Sequence, residues 1–131
     1  MTQPETWTRT GHAGPLAGRT WPAATPRRLA VLVPGYADHL GRHADLAEAL
    51  AAAGTTVVGH DPAGHGESAG ERGLITDIES TVDDVRTVLD SARIDGLPVV
   101  LIGLSLGGTS AARYAQRYPG DIAALVLAAP I

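Results

Sequence analysis

The sequence predicts an α/β domain: a mostly parallel sheet with helices on both faces. From Ala30 onward, short apolar runs alternate with segments of helical periodicity, the pattern of βα units feeding a parallel sheet. The runs Leu29–Val33, Thr56–Gly59, Val99–Ile102 and Ala123–Leu127 are continuously apolar, as strands covered on both faces are, and are expected to form the sheet centre. The run ending at Ile102 passes through a glycine-rich turn directly into a helical pattern.

Ahead of these runs, Thr6–Thr10 and Leu16–Trp21 are separated by Gly11 and the Gly14-Pro15 turn and read as an N-terminal hairpin within residues 1–28, where Trp7 and Trp21 pack. His43–Ala53 places Leu46, Ala49, Leu50 and Ala53 on one helical face and stops at Gly54, a residue suited to a left-handed C-terminal cap. Thr76-Asp-Ile-Glu79 matches a capping box, with Ile75, Ile78, Val82, Val85 and Leu89 spaced by three or four residues until about Arg93. A third helix runs from about Leu106 to Tyr118, where Pro119-Gly120 stops it; Ala111, Ala112 and Ala115 keep it thin enough to lie close on the sheet. Residues 1–131 read as one domain, with 29–131 forming the βα units and no internal repeat.

Ten basic residues, all Arg, stand against 14 acidic ones, a net charge of −4. That balance offers no basic face for nucleic acid or anionic lipid. Without cysteine there is no disulfide framework, thiolate nucleophile or Cys-ligated metal. The start of the chain has neither the basic nor the apolar region of a secretory signal, and no apolar run approaches the roughly 18 residues that span a bilayer. A cytoplasmic location, with no cofactor and no metal, is the expectation.

The chemistry concentrates in Gly103-Leu104-Ser105-Leu106-Gly107-Gly108, a G-x-S-x-G motif between an apolar strand and a helix. Strand–turn–helix is the setting of a nucleophile elbow, in which a strained turn lifts the serine hydroxyl clear of the sheet. A Cβ at Gly103 or Gly107 would crowd the neighbouring chain. Ser105, the candidate nucleophile, then sits at a helix N-terminus, where free N–H groups and the helix dipole favour a developing oxyanion. The plainer reading is a tight βα turn holding an incidental serine. A phosphate loop fails for want of the Lys before Ser/Thr, and Gly64-His-Gly66 lacks dinucleotide-fingerprint spacing. Val33-Pro34-Gly35-Tyr36 follows the Leu29–Val33 strand, where this architecture takes a second oxyanion N–H; Tyr36 and Leu106 are the candidate donors. Taken alone, Pro34-Gly35 reads as a simple turn.

Four segments together resemble the monoacylglycerol lipase and lysophospholipase group of α/β-hydrolases, often described as serine aminopeptidase-like. They are Pro34-Gly-Tyr-Ala-Asp-His39-Leu-Gly-Arg42, the run Asp61-Pro-Ala-Gly-His65-Gly-Glu-Ser68-Ala-Gly-Glu-Arg72-Gly73, Val82-Asp-Asp84-Val85, and the elbow. The run Gly64–Gly73 is similar to the group's G-H-G-x-S-x-G-x-R-G loop. A Ser at the elbow argues against haloalkane dehalogenases and epoxide hydrolases, which use Asp there. This chain departs from the group in having Pro34 and Leu104 where His is usual.

The resemblance implies a serine hydrolase of small acyl esters, most readily monoacylglycerols or lysophospholipids, acting through an acyl-enzyme on Ser105. Amide hydrolysis is the close alternative. It also implies an incomplete α/β-hydrolase fold lacking its C-terminal strands and cap, because the triad acid and histidine follow later strands. Beyond Ser105 there is no His, and the acid there, Asp121, reads as a solvated turn residue at the wrong end of a parallel strand. His39 and His65 are expected on loops at the active-site edge as poor substitutes for the base; His12, His43 and His60 have less to recommend them. The chain is therefore expected to be inactive alone. The open edge of Ala123–Leu127 would favour self-association, and a noncatalytic module binding a partner through that edge is the reading from another class.

Overall fold

Adjacent residues of a strand point to opposite faces, so a continuously apolar strand needs cover on both sides. The computed structural model, which describes residues 3–131, supplies it for the strands at the centre of the sheet. The hairpin β1 (Glu5–Gly11) and β2 (Gly14–Trp21) precedes β3 (Arg28–Val33), α1 (Ala44–Ala52), β4 (Thr55–His60), α2 (Ile78–Ala92), β5 (Val99–Leu104), α3 (Leu106–Arg117) and β6 (Ala124–Ala128). One six-stranded sheet has the order β1-β2-β4-β3-β5-β6. β3 runs parallel to β4 and β5, and β5 parallel to β6, while β2 joins β4 antiparallel and carries the hairpin. The expected α/β class, with helices on both faces, is the observed one.

Leu29, Val31 and Val33 of β3 pack with Val82, Val85 and Leu89 of α2 and Ala111 of α3. Ala30 and Leu32 point the other way, toward Ala47 of α1, Leu40 and Trp21. Each fully buried Val or Leu contributes roughly 1.5–3 kcal/mol, so the central strands anchor the domain. Trp7 donates from Nε1 to the Thr20 hydroxyl at 2.9 Å and lies over Gly18, tying the hairpin together.

Four expectations are corrected. α1 turns Ala44, Ala47, Leu50 and Ala51 toward the sheet, so of the expected face Leu50 packs while Ala49, Ala53 and Leu46, 41% exposed, do not; small residues let this helix sit close to the sheet. The N-cap of α2 is Asp77 rather than Thr76, its carboxylate accepting from the Ser80 N–H at 2.6 Å, so the helix starts one residue later. β6 lies at the edge of the sheet, not its centre, and every residue of it is exposed. Asp121 is no solvated turn residue: the ends of α2 and α3 converge on it. It accepts from the Tyr114 hydroxyl and from Arg93, both at 2.5 Å, with Arg86 at 3.4 Å. Burial and the hydrogen bond to Asp121 push the Tyr114 hydroxyl up to about 12.

Asp77→Ala should lower the urea midpoint measurably, whereas Thr76→Ala should leave it nearly unchanged. The reverse ranking would return the cap to Thr76.

Candidate active site

In a parallel sheet the loops leaving the carboxyl ends of the strands meet at one edge. Here that edge gathers the loops after β3, β4 and β5. β5 ends at Leu104, α3 begins at Leu106, and Ser105 alone makes the turn between them, with φ +56° and ψ −120°. A non-glycine residue in that region stores on the order of 1–3 kcal/mol of strain and persists only where its surroundings fix it. The Ser105 N–H donates to the Ala128 carbonyl at 2.8 Å, and the Ser105 carbonyl accepts from the Gly108 N–H at 2.8 Å.

Close backbone approach fixes the rest. A Cβ on Gly107 would collide with the Val33 carbonyl oxygen and lie 2.6 Å from that of Pro34; one on Gly103 would collide with the Gly107 carbonyl. Gly35 faces the elbow directly, with space for no side chain, since its Cβ would stand 2.9 Å from the Leu104 carbonyl oxygen, 3.0 Å from Ser105 Cβ and 3.3 Å from the Leu106 nitrogen. The loop after β3 and the N-terminus of α3 are thus in contact. Ser105 is half-buried and Tyr36, the next residue in that loop, is 56% exposed. Behind the elbow a crevice of about 10 Å³ between Pro34, Gly35, Ile78 and Leu106 has room for about one water at most. The larger concavity, about 760 Å³, lies at the opposite end of the sheet beside Trp21, Arg27, Glu48 and Gly54, away from the motif residues, and has no geometric link to Ser105.

The loop after β4 is held by its own polar residues. Asp61 accepts from the Leu40 N–H at 2.8 Å on one carboxylate oxygen and from the Glu67 N–H at 2.9 Å on the other. Ser68 donates to the Asp61 carbonyl at 2.6 Å and accepts from the Ala17 N–H at 2.9 Å. Arg72 gathers the carbonyls of Gly66, Ser68 and Gly70. The Asp, Ser and Arg of this motif build the loop, a role that spacing alone did not disclose. His65 is buried there, its Nδ1 3.0 Å from the Ala63 carbonyl, its Nε2 without a partner, and its ring edge-on to Tyr36 at 5.3 Å.

His39 is exposed at the same edge. His12 is bonded to buried Asp84 at 2.6 Å, and His43 to Asp38 at 2.6 Å. Among the described residues no histidine is hydrogen-bonded to Ser105, and no group of three or more His, Asp or Glu could hold a metal. Among the described residues no helix is long and apolar enough to cross a membrane.

A serine at the strained strand–helix turn of a sheet with this strand order defines an α/β-hydrolase architecture. Residues 24–131 match the family model described as serine aminopeptidase, S33, and the chain belongs to that family. It is 40% identical over 111 residues to a monoacylglycerol lipase of Mycolicibacterium smegmatis, covering 83% of this chain and 40% of that protein. To the human monoglyceride lipase it is 40% identical over 116 residues, covering 86% and 38%. The solved monoacylglycerol lipase of Paleococcus ferrophilus superposes with a TM-score of 0.78 at 35% identity, covering 88% of this chain and 43% of that one. The chain thus spans about 40% of the length of the curated relatives it matches.

Fully buried His60 gives the site edge a pH dependence. Burial, outweighing the pull of Asp84 and Asp61, holds its imidazole at about 4 against an ordinary 6.5. The unfolded chain takes up a proton that the folded chain excludes, so stability is full above pH 6.5 and falls as pH drops toward 4, by on the order of 3 kcal/mol. Urea midpoints at pH 7 and pH 4.5 should therefore differ more for the native chain than for His60→Gln. An equal drop in both would assign the acid sensitivity elsewhere.

Proposed function

We propose that this chain supplies the nucleophile and oxyanion hole of a serine hydrolase acting on carboxylic esters, of the monoacylglycerol or lysophospholipid type. One observation carries the reading: Ser105 occupies a strained turn at the head of α3 while Gly35 is packed against its Cβ. Strain at that point has no evident structural use and presents a hydroxyl beside unpaired helix N–H groups. In the reaction Ser105 Oγ attacks the ester carbonyl carbon as a base takes its proton. The Tyr36 and Leu106 N–H groups hold the oxyanion, and the tetrahedral intermediate expels the alcohol, which regains a proton. Water then releases the acid from the acyl-enzyme by the same steps. All five histidines precede Ser105, so the base and its acid partner are not assigned to this chain.

The names of the relatives at 40% identity support the ester; the matched family's description keeps amides as a second reading of the leaving group. The exposed β6 favours another possibility for the isolated chain. Leu125, Val126 and Leu127 stand 37–47% exposed on an unpaired edge, a surface that associates with further chain.

Purified residues 1–131 should self-associate on size-exclusion chromatography and hydrolyse p-nitrophenyl esters no faster than their Ser105→Ala variant. An active monomer would bring His39 or His65 back as the base. A chimera completing residues 1–131 with the rest of the M. smegmatis relative should hydrolyse monoacylglycerol. Its Ser105→Ala variant should lose about 10⁶ in turnover, by analogy with another serine hydrolase, while keeping its circular dichroism. Retained turnover would move the nucleophile elsewhere.

A further inference from the structure

The segment from Gly35 to Leu40 is an arch between two anchors. At one end buried Gly35 lies against the elbow. At the other, Leu40 is 1% exposed and its N–H is held by Asp61 at 2.8 Å. Between them Tyr36 and Ala37 are exposed, and Ala37 has φ +59°, a left-handed conformation costing roughly 1–2 kcal/mol for an alanine. Such a turn needs a local restraint, and Asp38 provides one. Its carboxylate accepts from the His39 N–H at 2.8 Å and from His43 Nε2 at 2.6 Å, with Arg42 at 3.4 Å.

We propose that the Asp38–His43 pair is a latch that holds the left-handed turn at Ala37 and so fixes the Tyr36 N–H in the oxyanion hole. The inference rests on the assignment of Tyr36 made above. Asp38 and His43 are positioning residues, acting through the backbone of the arch. Charged and titratable groups around them are His39 and Arg42 on the same segment, Arg19 of β2 beside Gly41, Asp61 beneath Leu40 and His65 against the Tyr36 ring. Burial pushes the Asp38 carboxyl up, but hydrogen bonds from His43 and the His39 N–H, with the charges of His43 and Arg42, more than offset it and hold the carboxyl below its ordinary range. Asp38 is therefore an ionised acceptor at neutral pH.

Amide hydrogen exchange on residues 1–131 tests the latch without any reaction. Asp38→Asn and His43→Ala should each speed exchange at His39 and Arg42, whose N–H groups are hydrogen-bonded within the arch, by about tenfold or more while leaving α2 and α3 unchanged, and His43→Gln, which keeps a donor, should stay close to the native rate. In the chimera each loss variant should lower kcat about tenfold with KM within twofold. That is less than the 10²–10³ attached to removing a whole oxyanion donor. The double variant should be no worse than either single one. Unchanged exchange at His39 and Arg42, or a loss spread over the whole chain, would overturn the latch. If exchange responds and kcat does not, the latch fails as a positioning device although the contact is real. If the native chimera is inactive, the assignment of function fails while the exchange result still decides the contact.

Discussion

The end of β3 and the head of α3 approach so closely that neither Gly35 nor Gly107 has space for a side chain. This contact sets the geometry of the site. It arises because β3 and β5 are parallel neighbours whose register brings Val33 opposite Gly103, so the loops leaving them emerge side by side. The hydrophobic core on both faces keeps the two strands in that register: a one-residue slip would turn Val31 toward α1 and Leu32 toward α2. Strain at Ser105 is sustained by the same packing, and burial in the core is thereby converted into the placement of one hydroxyl.

Around this contact, polar residues join loops that are far apart in sequence. Asp61 links the end of β4 to Leu40, and Ser68 links the same loop to Ala17 of β2. Arg72 satisfies three carbonyls that a loop of this length would otherwise expose. Asp84 of α2 accepts both the N–H and the ring nitrogen of His12 in the turn of the hairpin. The antiparallel β1–β2 unit is in this way part of the scaffold that shapes the loop after β4. Side chains with the character of catalytic residues perform structural work here: two histidines are bonded to carboxylates, and a third is buried in its neutral form.

What the sequence makes legible follows from the range of each interaction. The continuous apolar runs and the G-x-S-x-G turn are local patterns, so the parallel sheet and the place of Ser105 can be read from them. The buried side of α1 can be read only in part: Leu50 packs as its spacing implies, but Leu46 is left exposed while Ala44, Ala47 and Ala51 face the sheet. Thr76 and Asp77 both suit an N-cap, and only the geometry at Ser80 chooses between them. β6 is as apolar as β3, but its exposure depends on what lies beside it in the sheet. Asp121 resembles a turn residue in sequence because Arg93 and Tyr114, which bind it, come from other elements. The loop roles of Asp61, Ser68 and Arg72 are long-range in the same sense.

The central claim is that Ser105, Tyr36 and Leu106 form one acyl-transfer site, and its geometry can be seen directly. A crystal structure of the chimera after reaction with an alkyl fluorophosphonate should show phosphorus bonded to Ser105 Oγ, with the phosphoryl oxygen about 2.7–3.1 Å from the backbone nitrogens of both Tyr36 and Leu106. Phosphorus on another residue, or a phosphoryl oxygen turned to solvent and away from those nitrogens, would contradict the account.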